Sequence, residues 1–264
     1  MMRFSDASMT AVAAVIPAFN EEATIREVVE RTLRQVARAI VVDDGSRDGT
    51  VAALDGLRVT VLRNERNRGK AESLICGINE ALRQGANAIV TLDGDGQHPP
   101  EEIPRLLAAH RAEPHAIVIG TRLHESRNIP ADRYVANRFA NFWIAWAAGQ
   151  RLEDSQSGFR VYPAATLQEV LPRCRYALGF VFESEILIEA GRCDVPLVGI
   201  PIPAIYPERG RRSHFHPVLD FARIARMVSW KLLSRGLYLP GLLTTLRGER
   251  LDRAAAGREA DPTG

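Results

Sequence analysis

The sequence predicts an α/β fold with a mostly parallel sheet and helices on both faces, and two observations support this. Short apolar runs alternate with amphipathic segments from Ala11 to Ile119, as parallel strands alternate with the helices that connect them. Polar clusters follow four of the apolar runs, and ligands of such sheets bind beyond the carboxyl ends of the strands. We therefore expect one large domain with a site at a single rim of the sheet.

The individual elements follow from hydrophobic periodicity. The predicted strands of the first half are residues 11–17, 39–42, 59–63, 88–92 and 116–119, and the predicted helices are 22–36, 48–54, 69–84 and 100–109. In the second half we predict a polar loop at 123–132, a helix at 135–148, a short strand ending the segment 154–162, a helix at 182–190, an extended edge segment at 195–205 and an amphipathic helix at 218–233.

These elements divide the chain into four parts. Residues 11–216 form the main domain, and 217–246 form a C-terminal appendage of amphipathic helices. Residues 1–10 are expected to be a disordered lead, and 247–264 a disordered tail because they are charged and rich in Ala and Gly.

Composition and charge limit the class of partner. Apolar residues make up 46% and charged residues 25%, as in an ordinary globular chain. The net charge of +2 gives no basis for a nucleic-acid partner, although arginines crowd residues 205–253 and suggest an anionic partner such as a phosphate or a lipid surface. The three cysteines lack metal-ligand spacing, so we expect reduced thiols and a cytoplasmic protein.

The segment Asp93-Gly94-Asp95-Gly96-Gln97 follows the fourth predicted strand. Two carboxylates two residues apart at the end of a buried strand suit a divalent cation that is held partly by ligand phosphates. The alternative interpretation is a polar turn that caps the helix beginning at Pro100. The position directly after a buried strand favours the cation and a diphosphate.

Two further clusters follow the second and third strands. Asp44 can accept a hydrogen bond from a base or a ribose hydroxyl, as acidic residues do in other crevice sites, while Ser46 and Asp48 suit a turn and a helix cap. Gly69-Lys70 opens a helix, where backbone N–H groups and a lysine favour an anion. The alternative for Lys70 is a solvated helix start.

Four segments taken together resemble family 2 glycosyltransferases. They are Val15-Ile16-Pro17-Ala18-Phe19-Asn20-Glu21-Glu22, the stretch from Val42 to Thr50, Asn67-x-Gly69-Lys70, and Asp93-Gly94-Asp95-Gly96-Gln97-His98-Pro99. Each is modest by itself, but four in this order and spacing are specific, and the resemblance covers residues 11–215. The group that looks most similar is the polyprenyl-phosphate sugar synthases.

This resemblance implies a GT-A (Rossmann-like) fold and an inverting transfer of a hexose from a nucleotide-diphosphate sugar of the GDP-mannose or UDP-glucose type, with Mg²⁺ or Mn²⁺. It implies Asp95 and Gln97 as metal ligands. The residues implied to bind the nucleotide sugar are Pro17, Phe19, Glu21, Val42, Asp44, Lys70, Asp93, Gly94, Asp95 and Arg209. The residues implied on the acceptor side are Arg122, Arg133, Asn137, Arg138, Arg160 and Ser213, and the catalytic set is Asp93, Asp95, Gln97, Arg122 and Asp154.

The nature of the acceptor stays open from the sequence. A phosphate acceptor such as polyprenyl phosphate is already anionic and needs only arginines to place it, whereas a hydroxyl acceptor needs a general base, for which Asp154 is available. A cytosolic transferase acting on a hydroxyl is therefore the main alternative. A nucleotidyltransferase is disfavoured, because Asn20-Glu21 stands where that class carries a Gly-rich basic loop after the first strand.

The chain departs from the family pattern at two residues, Ala71 and His214, and in having no transmembrane hairpin after residue 216. The helix 218–233 and the apolar segment 237–246 suit either a peripheral contact with the cytoplasmic face of a membrane or packing against the core or a second copy. The sugar, the nucleotide and the oligomeric state stay open.

Overall fold

The computed structural model describes residues 12–122, 131–175, 181–203, 205 and 217–247, without the side chains of 131–136 and 217–221. The predicted lead 1–10 and residues 248–264 of the predicted tail lie outside the described residues, as does most of the predicted loop 123–132. The strands are β1 Val12–Ala18, β2 Arg38–Asp43, β3 Thr60–Arg63, β4 Ala88–Thr91, β5 Ile117–Thr121, β6 Arg160–Pro163 and β7 Leu197–Pro201. The α-helices are α1 Ile25–Leu33, α2 Lys70–Arg83, α3 Ile103–Ala112, α4 Ala131–Ala148, α5 Ala164–Val170, α6 Val181–Arg192, α7 Pro217–Leu233 and α8 at residues 239–247.

In the described part of the chain the strands form one sheet in the order β3-β2-β1-β4-β6-β5-β7. Every neighbouring pair is parallel except the two pairs that involve β6, which runs antiparallel to both β4 and β5. The predicted mostly parallel sheet is confirmed. The predicted edge segment is also confirmed, because β7 pairs only with β5 at the end of the sheet.

Helices cover both faces of the sheet, as predicted. Successive residues of a strand point to opposite faces, so Ala13 and Val15 of β1 pack into a core cluster with α2, α4, α6 and α7. Their neighbours Ala14 and Ile16 pack into a second cluster with α1 and α3. The continuous apolar run of β1 therefore reflects burial on both faces.

One predicted helix is largely absent, and several helix boundaries differ from the sequence prediction, including the starts of α1 (predicted at residue 22) and α4 (predicted at residue 135). Residues 48–54 form only a short 3₁₀ turn at Ala52–Leu54. Asp48 Oδ1 accepts the N–H of Thr50 at 3.0 Å, and this side-chain bond competes with a helical turn. The helix predicted from residue 100 begins with a 3₁₀ turn at Pro100–Glu102 and continues as α3.

The C-terminal helix α7 packs against the main core. Its residues Met227, Val228 and Leu232 are buried in the same cluster as the sheet. The ammonium of Lys231 lies 2.7 Å from Glu185 Oε1 and 2.6 Å from Glu189 Oε1, both on α6. The predicted division at residue 216 therefore does not separate two hydrophobic cores. Among the described residues, no helix is long and apolar enough to cross a membrane.

Candidate active site

The loops that follow β1 and β2 are joined into one unit at the rim of the sheet. The backbone N–H of Asn20 donates to Ser46 Oγ at 2.8 Å, and Asn20 Oδ1 accepts the N–H of Arg47 at 2.9 Å. Asn20 has a φ of 55°, a left-handed conformation that asparagine tolerates better than most residues. Glu21 is tied to the same unit, because its N–H donates to Thr50 Oγ1 at 2.7 Å.

Asp44 joins the β2 loop to the loop that precedes α2. Its Oδ1 accepts from the side chain of Asn64 at 2.8 Å and from the N–H of Arg68 at 2.9 Å, and its Oδ2 accepts the N–H of Gly69 at 2.8 Å. The side chain is buried. Asp44 therefore shapes the crevice that was predicted to hold the nucleoside, and direct contact with a ligand stays a prediction.

A cavity of about 240 Å³ opens between the ends of β1, β2 and β3. Phe19, Ser46, Arg63 and Asn67 are among its walls, so it lies where the sequence predicted the nucleoside. Gly45 brings two of the wall loops together: a Cβ there would lie 2.6 Å from the backbone carbon of Arg66. One aromatic side chain and three arginines in its walls suit a flat base and an anionic group.

Two of the residues that were predicted to bind the nucleoside lie deeper in the protein than the rim of the sheet. Val42 is fully buried in β2, and a Cβ on Gly77 of α2 would lie only 3.0 Å from its Cγ2. The side chain of Val42 therefore packs the core, and contact of this residue with the nucleoside stays a prediction. Pro17 is also buried, and its carbonyl oxygen would lie 3.3 Å from a Cβ on Gly94, so these two predicted residues are neighbours.

The Asp93 carboxylate is paired inside the protein. Lys70 Nζ lies 2.7 Å from Asp93 Oδ1 and 3.2 Å from Glu183 Oε2. Burial by itself would raise the pKa of Asp93, but the positive charge of Lys70, with a contribution from Arg122, outweighs burial and holds this pKa at about 2. Burial by itself would lower the pKa of Lys70, and the two carboxylates raise it above its usual range. Lys70 was predicted to bind the donor, and here it serves as the internal counter-ion of Asp93.

Gly158 leaves the space that this charged cluster occupies. A Cβ on Gly158 would lie 2.9 Å from Glu183 Oε1, 3.1 Å from Lys70 Nζ and 3.2 Å from Asp93 Oδ1. The carbonyl of Gly158 accepts a hydrogen bond from Thr91 Oγ1 at 2.8 Å. Any side chain at this position would therefore push into the ion pairs.

Asp95 and Gln97 lie beside this pair and fit a divalent cation. Asp95 Oδ1 accepts the N–H of Gln97 at 3.0 Å. Burial raises the pKa of Asp95 to about 6, and the neighbouring charge of Asp93 acts in the same direction. A cation would relieve both effects, and carboxylate and amide oxygens are suitable ligands. No group of three or more His, Cys, Asp or Glu side chains in the described residues could hold a metal, so a cation here would take its other ligands from a diphosphate or water.

His98 supports the backbone of the same segment. Its Nδ1 accepts the N–H of Asp93 at 3.2 Å, and its ring lies 5.5 Å from the ring of Phe159. Burial lowers the pKa of His98 to about 4, and the opposing charge of Asp93 does not offset burial. The imidazole is therefore neutral near pH 7, which agrees with an accepting Nδ1. Thr24 supports the segment from the other side, because its Oγ1 donates to the carbonyl of Gly94 at 2.7 Å.

Arg122 follows β5 and is held by Asp154. Both the N–H and Nε of Arg122 lie 3.2 Å from Asp154 Oδ2, and Asp154 Oδ1 accepts the N–H of Gln156 at 3.2 Å. Asp154 has no exposed surface. It therefore positions Arg122 in this structure, and the interpretation of Asp154 as a general base is not supported, because a base must reach the acceptor.

The side chain of Arg160 makes internal contacts, and its predicted contact with the acceptor stays a prediction. Its side chain is fully buried. It donates to the carbonyls of Ser155, Ser157 and Glu183 at 2.7–2.8 Å and to the hydroxyl of Tyr162 at 3.0 Å. Arg160 therefore holds the loop that carries Asp154.

The remaining predicted acceptor residues are on or beyond α4. Asn137 is half-buried and Arg138 is exposed, and their acceptor role stays a prediction. The side chain of Arg133 is not described, and Ser213 lies outside the described residues. Arg209, which was predicted to bind the nucleotide sugar, also lies outside them.

Two residues of the site lay outside every motif. Glu183 of α6 pairs with Lys70. Asn141 of α4 accepts from the N–H and Oγ of Ser155 at 2.8 and 2.6 Å and donates to the carbonyl of Glu153 at 2.6 Å. Both are polar residues within helices, and helical periodicity gives no sign of which distant loop such a residue contacts.

Comparison with known proteins assigns the family. The family model described as Glycosyl transferase family 2 matches residues 13–171. The chain belongs to this family. The match contains β1 to β6, including the Asp93–Gln97 segment, Arg122 and Asp154, so the residues of this site lie in the family 2 region, apart from Glu183.

Curated relatives and solved structures agree with this assignment. A UDP-N-acetylglucosamine–dolichyl-phosphate N-acetylglucosaminyltransferase of Methanococcus voltae is 28% identical over 83% of this chain and 95% of its own length. A polyprenol monophosphomannose synthase of Mycolicibacterium smegmatis is 30% identical over 74% of this chain and 78% of its own. Glucosyl-3-phosphoglycerate synthase of Mycobacterium tuberculosis, solved with Mn²⁺, UDP and phosphoglyceric acid, has a TM-score of 0.65 at 22% identity and covers 87% of this chain and 80% of its own. The predicted resemblance and the GT-A fold are confirmed.

Proposed function

We propose that this family 2 glycosyltransferase transfers a hexose from a nucleotide-diphosphate sugar to a polyprenyl phosphate with inversion at the anomeric carbon. One observation carries the proposal: the acidic Asp93–Gln97 segment lies beside the positive side chains of Lys70 and Arg122, and the 240 Å³ crevice opens at the same rim of the sheet. The crevice suits the nucleoside. The acidic segment suits a cation with the diphosphate, and Arg122 suits a second anion.

The donor side of the proposal rests on Asp95 and Gln97. We propose that their side-chain oxygens hold Mg²⁺ or Mn²⁺. Such a cation, when bound, neutralises the diphosphate leaving group. Asp93 is kept ionised and fixed by Lys70, so it can accept hydrogen bonds from the ribose. Thr24 and His98 hold the backbone of the segment, and the side chains therefore meet the donor without reorganising first.

The acceptor side rests on Arg122. A phosphate acceptor is already an anion, so its placement and orientation matter more than proton removal. Arg122 is fixed by its ion pair with Asp154 at 3.2 Å, and a preorganised guanidinium binds phosphate through paired N–H groups. The burial of Asp154 disfavours a hydroxyl acceptor, since that reaction needs a base. The names of the two relatives, which specify dolichyl phosphate and a polyprenol phosphate product, support the same class of acceptor.

A cytoplasmic setting completes the proposal. The three cysteines are free thiols, and free thiols persist in reducing compartments. We propose that the enzyme meets its lipid acceptor at the cytoplasmic face of a membrane.

The test is sugar transfer from radiolabelled GDP-mannose, UDP-glucose and UDP-N-acetylglucosamine to a short polyprenyl phosphate in detergent, with Mn²⁺ present. We expect one donor to be used and Asp95→Asn to lose at least about a hundredfold in rate. Arg63→Gln, at the wall of the crevice, is the matched control and should change the KM for the donor more than the rate. Binding of no donor would refute the proposal, and donor hydrolysis without lipid product would redirect it to a hydroxyl acceptor.

A further inference from the structure

Large apolar side chains are exposed mainly at the C-terminal end of the described chain. Of the nine that the described residues expose, six lie between Trp230 and Leu246. They are Trp230, Leu233, Leu237, Leu239, Leu243 and Leu246. Single exposed apolar residues are ordinary, but such a concentration marks an interaction surface.

These side chains form one apolar face on each of two helices. On α7, Trp230 and Leu233 are 61% and 64% exposed and are three residues apart. On α8, Leu239 and Leu243 are 62% and 55% exposed, and Leu246 continues the same face at helical spacing. We call these two exposed faces, together with Leu237 between the helices, the C-terminal platform.

The platform is fixed to the rest of the molecule from its inner side. Lys231 is turned inward onto Glu185 and Glu189. The indole Nε1 of Trp146 donates to the carbonyls of Leu237 and Tyr238 at 2.9 and 3.2 Å. These ion pairs and hydrogen bonds anchor both helices to the rest of the molecule, so that their apolar side chains face outward.

The charge around the platform is mainly positive. Residues 217–247, which make up α7, α8 and the turn between them, contain five basic residues and one acidic residue, Asp220. Of the five, Lys231 is buried, whereas Arg223 and Arg226 of α7 and Arg247 of α8 are exposed. Arg223 and Arg226 precede Trp230 by seven and four residues and so lie on the same side of α7.

From this arrangement we propose that the C-terminal platform docks onto an anionic lipid bilayer, with the leucines at the acyl boundary and the arginines at the head groups. Amphipathic helices with leucine and tryptophan on one face and arginine beside it bind membranes in this way. A symmetric dimer through the same face would bring Arg226 and Arg247 of the two copies together, where like charges repel, whereas anionic head groups attract them. Docking extends the proposed function by bringing the enzyme to the surface that holds its lipid acceptor.

The test is sedimentation of the full chain with vesicles of phosphatidylcholine alone or mixed with phosphatidylglycerol. We expect binding to the mixed vesicles that weakens with salt. Leu239→Glu with Leu243→Glu should weaken binding at least about tenfold. Arg226→Gln with Arg247→Gln should weaken it about fivefold for each arginine, and only on the anionic vesicles.

Val61→Glu, which introduces the same charge at an exposed apolar residue of β3, is the matched control and should bind as the unmodified chain does. Circular dichroism of each variant establishes that it is folded. Equal binding by the Leu239/Leu243 double variant, or a dimer in light scattering that the same variant dissociates, would overturn the proposal. Vesicle binding needs no donor, and transfer in detergent needs no bilayer, so failure here and failure of the proposed function are distinguishable.

Discussion

Lys70→Met should destabilise the fold through the two carboxylates that it leaves behind. The ammonium lies 2.7 Å from Asp93 Oδ1 and 3.2 Å from Glu183 Oε2, and the three side chains are only 18%, 26% and 6% exposed. Removing one partner of a buried ion pair costs about 3–5 kcal/mol. Since Lys70 and Asp93 are partly exposed, we expect about 3 kcal/mol. The second substitution, Glu183→Gln, removes one of the two carboxylates left without a partner. The double variant should therefore be about 1–3 kcal/mol more stable than the sum of the two single effects predicts.

The stability of the protein at low pH gives a second test of the Lys70–Asp93 ion pair. The folded-state pKa of Asp93, about 2, lies below its ordinary value of 3.8. The contribution of the pair is therefore complete above about pH 4 and is lost as the pH falls toward 2. Between pH 4 and pH 2 the Lys70→Met variant should lose less stability than the unmodified chain, because it lacks the ion pair whose contribution disappears as Asp93 is protonated.

The free energies of unfolding are measured in urea by tryptophan fluorescence for four proteins: the unmodified chain, Lys70→Met, Glu183→Gln and the double variant. Arg68→Met is the matched control, because Arg68 also lies 2.7 Å from a carboxylate, Glu72, but both side chains are exposed. Exposed pairs contribute little, so this variant should stay within about 0.5 kcal/mol of the unmodified chain. A loss below about 1 kcal/mol for Lys70→Met, or strict additivity with Glu183→Gln, would refute the reasoning.

Three further predictions concern the site and the thiols. Asp154→Asn frees Arg122 and should lower kcat about 10- to 100-fold with little change in the KM for the donor; an unchanged kcat in steady-state assays would show that Arg122 needs no such support. Because the pKa of Asp95 is raised to about 6 and a metal binds the ionised form, Mn²⁺ affinity in the presence of nucleotide diphosphate should fall about tenfold for each pH unit below 6 and level off above it. A flat profile in calorimetry contradicts this. At pH 8 a disulfide reagent should modify the exposed Cys76 quickly and Cys174 slowly, because burial raises the pKa of Cys174 to about 12; a rapid phase that survives Cys76→Ser counts against this.

The position of the site could be predicted from sequence because its residues follow strands. Asn20, Asp44, Asp93 and Arg122 each come after an apolar run, and parallel strands end at one rim. These are local relations between a strand and the residues after it, so periodicity is enough to find them. The confirmed sheet places all four at the ends of β1, β2, β4 and β5.

The direction of a side chain depends on tertiary structure, and a sequence pattern does not give it. Arg160 lies in a loop-to-strand segment that resembles an acceptor site, but it opens β6, the one antiparallel strand of the sheet. Nothing in a four-residue strand indicates its direction. Its side chain turns inward to the carbonyls of Ser155 and Ser157. The burial of the Val42 side chain has a similar cause, because a strand that is buried on both faces exposes no side chain.

Partners that are distant in sequence were also beyond prediction. Lys70 and Glu183 lie on α2 and α6 and meet only because both helices cover the same face of the sheet. The amphipathic pattern of α7 likewise suits either a core or a membrane. The structure uses one side of α7 for the core, through Met227 and Leu232, and leaves Trp230 and Leu233 exposed on the other.

The central claim is that the acceptor is a lipid phosphate placed by Arg122. The most direct measurement compares sugar transfer to a polyprenyl phosphate with transfer to the polyprenol of the same chain length, under one donor and one Mn²⁺ concentration. The account predicts product from the phosphate only, with a loss of about a hundredfold in Arg122→Gln. Equal transfer to the polyprenol, or full activity of Arg122→Gln on the phosphate, would contradict it.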